Sequence, residues 1–151
     1  MSDALNAQDL AVRREILAAL SRDLPVTRIS VMQALGLDYV DVSASYARLA
    51  AAHVIVLSAA TGEVWMALPF SAVPTAFRVV AGDVAVWANC AWDAFGIAAA
   101  LERDVSFTTP CPGSGAVINA GIRHGTAHAS PGVIAHVGVP ADRWWDDIGF
   151  T

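Results

Sequence analysis

Helix-period patterning fills the first third of this sequence and strand-like alternation dominates the rest, an order that selects an α+β architecture over interleaved parallel βαβ units. From Ala7 to Leu20 the apolar residues Leu10, Ile16, Leu17 and Leu20 recur at helical spacing around Arg13, Arg14 and Glu15, and the segment closes at Asp23 to Pro25. Thr27 caps a second predicted helix from Ile29 to Leu35, which Gly36 ends. A third runs from Asp38 or Tyr39 to Ala52, with Val42, Tyr46 and Leu49 on one face. Two strand-like runs follow, Val54 to Leu57 and Glu63 to Leu68, joined through a Thr61-Gly62 turn. Three helices and a hairpin suggest a winged-helix-like part over residues 1–70.

Pro69 to Pro74 reads as a linker into a second part, residues 71–151. There Phe77 to Val80 is a predicted strand. Asp83 is expected to cap a central helix from Val84 through Asp93 into Phe95, with a break near Gly96 and an extra turn over Ala98 to Leu101. Val105 to Thr109, Ala116 to Ile122 and Val133 to Val139 complete a mixed or antiparallel sheet.

With 151 residues, 56 % hydrophobic and 15 % charged, the chain is long enough for a real core and too apolar for disorder. Its longest apolar stretches, Val84 to Trp92 and Phe95 to Leu101, are broken by Asn89, Asp93 and Gly96 and fall short of the ~20 residues of a spanning helix. Charges at Asp3, Asp9, Arg13, Arg14 and Glu15 do not fit a secretory signal, so a cytoplasmic protein is expected. Nine arginines against fourteen acids give a net charge of −5, the wrong sign for neutralising phosphates. A DNA-binding regulator would need its third helix in a groove, and that helix offers Asp41 against a single Arg48. Two cysteines, Cys90 and Cys111, are expected as free thiols.

The chemically dense stretch is Asn89-Cys90-Ala91-Trp92-Asp93. Three residues apart on a helix, Cys90 and Asp93 share a face, and a carboxylate beside a thiol can take or return its proton. The plain structural alternative is a small buried thiol with a surface charge nearby. Trp87, Trp92 and Phe95 are expected to line an apolar pocket between this helix and the sheet. His124, His128 and His136 read as ordinary sheet or loop residues, because Gly125 argues against a helix there, and no resident metal or cofactor is expected. Trp144 and Trp145 read as a core anchor, and Asp146 and Asp147 as a solvated turn.

The stretch Trp87-Ala88-Asn89-Cys90 to Asp93-Ala94-Phe95-Gly96 resembles the organomercurial (alkylmercury) lyase family, in which a nucleophilic cysteine precedes a catalytic aspartate by three positions. Pro25-Val26-Thr27-Arg28, the turn Cys111-Pro112-Gly113-Ser114-Gly115 and the run Arg143 to Thr151 look like further family segments. The resemblance implies protonolysis of carbon–mercury bonds in mercury detoxification, with Cys90 binding mercury and Asp93 shuttling the proton and sharing the metal. It implies a structural Cys111, and release of the metal to small thiols. The family's second active-site cysteine follows the segment that Gly149-Phe150-Thr151 resembles, and no residue of this sequence stands at that position. A non-enzymatic member of the fold, binding a small apolar ligand or a thiophilic metal as a sensor or accessory, is the alternative.

Overall fold

The computed structural model describes residues 5–136 and 138–149. Three helices come first: α1 (Ala7–Leu20), α2 (Arg28–Leu35) and α3 (Tyr39–Ala51). Each starts on a side-chain cap. Asn6 and Asp9 form a reciprocal capping box on α1, Thr27 and Ser30 do the same on α2, and the Asp38 side chain accepts from the Asp41 amide on α3. Gly36 ends α2 in the left-handed conformation at φ 65°, which costs a glycine little. Val12 and Ile16 of α1 and Val42, Tyr46 and Leu49 of α3 are fully buried and make the helical half of the core.

Eight strands form one antiparallel sheet in the order β1-β2-β3-β5-β4-β6-β7-β8. Their ranges are β1 Val56–Leu57, β2 Val64–Ala67, β3 Phe70–Ser71, β4 Phe77–Ala81, β5 Val84–Ala88, β6 Val105–Pro110, β7 Val117–Arg123 and β8 Thr126–Ala129. The fourth helix, α4 (Ala91–Leu101), packs on β4 to β7. Its Ile97 and Ala94 bury against Val79, Val86 and Phe107 in the sheet half of the core. Among the described residues no helix is long and apolar enough to cross a membrane.

Arg28 ties the helices to the first hairpin. Its guanidinium meets Glu63 Oε1 at 3.1 Å and donates to the Gly62 carbonyl at 2.6 Å, while stacking 5.0 Å from the Tyr46 ring. Gly62 sits at φ +72° in that turn, where a Cβ would come within 3.2 Å of the Arg28 guanidinium.

The structure corrects the sequence reading in five places. The expected linker, 69–74, contains β3, which pairs with both β2 and β5 and so joins the hairpin to the rest of one continuous sheet. The expected helix start at Asp83 is a hairpin turn: Gly82 has φ +67°, and Val84 to Ala88 return antiparallel to β4 as β5. Val84 and Val86 are compatible with this, since β-branched residues favour the pleated surface. Helix α4 runs unbroken through Gly96, where an added Cβ would meet the Pro69 side chain at 3.5 Å. His124 and Gly125, both at positive φ, make a tight turn into an unexpected strand, β8. The strand expected over 133–139 is absent from its described residues, Val137 lying outside them.

Candidate active site

Strand β5 ends at Ala88 in the row Phe70–Ala88–Phe77, and the chain passes through Asn89 and Cys90 straight into α4. Cys90 is extended, at φ −144° and ψ −178°, and is the N-cap of α4, not a residue within it. Its carbonyl accepts the Ala94 amide at 2.9 Å, the first bond of the helix. Asp93 is therefore the third helical residue. This N-cap-to-N3 spacing is that of a capping box, with a thiol where serine or threonine is usual.

The Cys90 Sγ approaches Asp93 Oδ2 at 3.6 Å. Asp93 is buried, and Cys90 half-buried. Burial raises the pKa of Asp93 above the ordinary carboxylate value, against opposing hydrogen bonds from Asn89 and Cys90. Burial also pushes the Cys90 thiol up; the Asp93 and Trp92 amides at the helix start pull it down, and the Asp93 charge adds to the upward shift. The site thus holds a neutral thiol next to a carboxylate that is a stronger base than an exposed one. Arrival of a soft electrophile at sulfur would release the thiol proton beside an acceptor already in place.

The third member of the cluster is Asn89. Its Nδ2 donates to Asp93 Oδ2 at 3.2 Å, to the Phe70 carbonyl at 3.2 Å and to the Pro69 carbonyl at 3.4 Å. The sequence reading quoted Asn89 only as a flank of Cys90. A polar residue directly before a helix cap, where a strand gives way to a helix, was the available signal.

The three aromatics expected around one pocket are not brought together. Strand alternation puts Trp87 on the face opposite buried Val86 and Ala88, where Arg78 stacks 4.5 Å from its ring and pairs with Asp23. Trp92 is 74 % exposed, on the outside of the first turn of α4. Only Phe95 faces the sheet, edge-on to Phe107 at 5.2 Å. The expected pocket is accordingly a half-buried thiol beside an exposed indole.

Cys111 follows β6 at the head of the turn to β7, its amide bonded to the Ala116 carbonyl at 2.8 Å. It is half-buried instead of fully buried, because the turn projects beyond the sheet. Hydrogen bonds from Ser114 and the Gly113 amide lower its thiol below the usual range. Because β4 is antiparallel to both β5 and β6, these two strands run parallel and deliver Cys90 and Cys111 to the same end of the sheet. One strand lies between them, a backbone separation of roughly 10 Å. Both cysteines are free.

Elsewhere, His124 lies in the β7–β8 turn and His128 in β8, and no cluster of three metal-binding side chains occurs among the described residues. Trp144 and Trp145 are half-buried on the surface and anchor no core: Trp144 bonds the Val139 carbonyl, and Trp145 stacks on His53 at 4.0 Å. Asp146 is exposed and paired with Arg143, and Asp147 is exposed. Of the segment resembling the approach to a second cysteine, Phe150 and Thr151 lie outside the described residues.

Comparison with known proteins bears on the family and the fold. No curated protein matches the chain in sequence. A crystal structure described as the mercury-bound form of MerB2 is similar to it, with a TM-score of 0.68 and 25 % sequence identity over 85 % of this chain. The match spans 62 % of that protein's length. The family model described as MerB, alkylmercury lyase, matches residues 70–151, from β3 to the end of the sequence and including Asn89, Cys90 and Asp93. By that match over more than half its length, the chain belongs to the alkylmercury lyase family.

Proposed function

We propose that this protein cleaves carbon–mercury bonds by protonolysis, with Cys90 taking the mercury and Asp93 moving the proton. The observation that carries the reading is the 3.6 Å approach of the Cys90 thiol to Asp93 Oδ2 at the start of α4, inside the region matched by the family. Residues 71–151 carry the chemistry in this reading, and residues 1–70 form a winged-helix-like support.

A thiolate is a soft donor and mercury a soft, thiophilic acceptor, so sulfur outcompetes the oxygen and nitrogen groups nearby. As the Cys90 sulfur bonds to the mercury of an organomercurial cation, R–Hg⁺, the thiol proton passes to Asp93. Sulfur donation enriches the carbon bound to mercury. Asp93 then returns the proton to that carbon, the C–Hg bonding pair becomes the new C–H bond, and the hydrocarbon R–H leaves. Mercury(II) stays on the Cys90 thiolate, with Asp93 as a second donor, until small thiols exchange it away. The elevated pKa of Asp93 suits both halves, since a stronger base accepts the thiol proton and a carboxylic acid remains to donate it.

The test is mercury binding and benzene release from a phenylmercury compound, in the parent and in Cys90→Ser. Cys90-dependent binding with benzene release supports the reading. Equal binding in both proteins overturns it, and binding without release leaves a thiophilic-metal binder of the same fold.

A further inference from the structure

Asn89 is the residue of the cluster to which the mechanism assigns nothing, and its geometry is unusually constrained. Its two amide hydrogens face three acceptors and no donor: Asp93 Oδ2, the Phe70 carbonyl and the Pro69 carbonyl. Exchanging the amide oxygen and nitrogen would set oxygen against all three, so the orientation follows from the acceptors alone. One hydrogen serves Asp93 and the other is shared by the carbonyls of Pro69 and Phe70, where the β2–β3 connection enters β3. The Asn89 Oδ1 is left buried without a hydrogen-bond partner. Leaving a buried carbonyl unsatisfied costs stability, and buried polar groups are usually paired. The side chain therefore keeps its donors on these acceptors at the expense of its own oxygen.

Donation to Asp93 selects a conformation. The terminal torsion of an aspartate is broad and roughly two-fold, so a carboxylate with no donor on it presents either oxygen or neither to a neighbour. Here the Asn89 amide and the Cys90 thiol meet the same oxygen, Oδ2. The amide occupies one of its lone-pair directions and leaves another for the thiol. The anchor is rigid, because Phe70 pairs with Ala88 immediately before Asn89.

We propose that Asn89 is a positioning residue for proton transfer, tethering Asp93 to the β2–β3 connection so that Oδ2 faces the Cys90 sulfur. This rests on the reading of Cys90 and Asp93 as the reacting pair. The first test requires no turnover and no substitution at Asn89. In the ¹H–¹⁵N spectrum of the free protein, Asp93→Ala shifts one of the two Asn89 side-chain amide protons and leaves the one bound to the carbonyls in place. Neither proton moving would overturn the proposal.

The second test is kinetic. Asn89→Leu, nearly isosteric and without donors, leaves Hg(II) affinity measured with mercuric chloride within about threefold of the parent, as it leaves the thiol untouched. The kcat for benzene release from phenylmercury falls roughly tenfold while KM is held, the signature of lost orientation and not lost binding. An unchanged kcat, or a raised KM with kcat intact, would refute the assignment. Asn89→Ala is the substitute if the leucine variant does not fold. Failure of the underlying chemistry appears differently, as a parent protein with no Cys90-dependent mercury binding or no benzene release, whatever the amide spectrum shows.

Discussion

Asp93 lies buried with Oδ2 3.6 Å from the Cys90 sulfur, and burial weakens both acids at once. The fold gains nothing from such a carboxylate. A folded-state pKa raised above the unfolded one means that the charged side chain destabilises the protein wherever it is ionised. The cost is fully present above the folded value and disappears as the pH falls below the unfolded value, where both states are protonated. Asp93→Asn is neutral, retains the shape and can still accept from Asn89. It is expected to melt at or above the parent temperature at pH 7, with the difference vanishing in acid. Thermal unfolding of the two proteins across pH decides this, and a clearly less stable variant at pH 7 would refute it.

The same substitution separates binding from chemistry. Asp93→Asn cannot carry the proton, so benzene release should fall by about 10²–10⁴-fold, the usual contribution of a positioned acid–base group. Mercury affinity should stay nearly intact, because the thiol remains the dominant soft ligand. Retained release in this variant would transfer the proton role elsewhere.

The caps of the helical half were legible because they act within a few residues. Thr27 and Gly36 mark the ends of α2 by local hydrogen bonding and backbone freedom, and the structure places them there. The chemistry was legible as a spacing but not as a place. Cys90 and Asp93 do meet, but as N-cap and N3 of a helix that starts seven residues later than expected. The run Val84 to Ala88 is short and apolar enough to suit either a helix or a strand, and only pairing with β4 decides between them. That misreading also displaced the aromatics. On a helix Trp87 can join Cys90, whereas on a strand it faces the side away from buried Val86 and Ala88. Asn89 was hidden for a related reason, since two of its acceptors are backbone carbonyls about twenty residues away, in a segment taken for a linker.

Sheet register also predicts the fate of the two thiols. With β4 between them, the strands that lead to the cysteines stand roughly 10 Å apart, and the cysteines just beyond their ends are expected to lie outside the range of about 7 Å between Cα atoms that a disulfide needs. Mild air oxidation should leave the intact mass unchanged by any internal bridge. A bis-maleimide of matching span should link Cys90 to Cys111, read by peptide mapping. A native disulfide between them would show that this end of the sheet opens. Cys111→Ser should cost less than about 1 kcal/mol, since its side chain is only half-buried in a projecting turn.

Far from the site, Asp9 and Arg48 lock α1 to α3, and their link is the clearest pH-sensitive element of the fold. The Asp9 side chain is fully buried, accepting from Arg48 Nε and Nη2 at 2.8–3.1 Å while it caps α1 through the Asn6 amide. The Arg48 hydrogen bonds hold its pKa at about 2, below the ordinary carboxylate value, against the opposing effect of burial. A depressed carboxylate stabilises the fold fully above its unfolded value and loses that contribution as the pH falls through the folded one. The shift corresponds to about 2 kcal/mol, acting between roughly pH 4 and pH 2. Asp9→Asn should therefore lower the unfolding free energy at pH 7 by about 2 kcal/mol, because it removes the charge that the Arg48 guanidinium stabilises on Asp9. The variant should also unfold with a flatter pH dependence in acid. Denaturant titrations of both proteins at pH 7 and pH 3 measure the two effects, and equal stability at pH 7 would show that the pair contributes no net stabilisation.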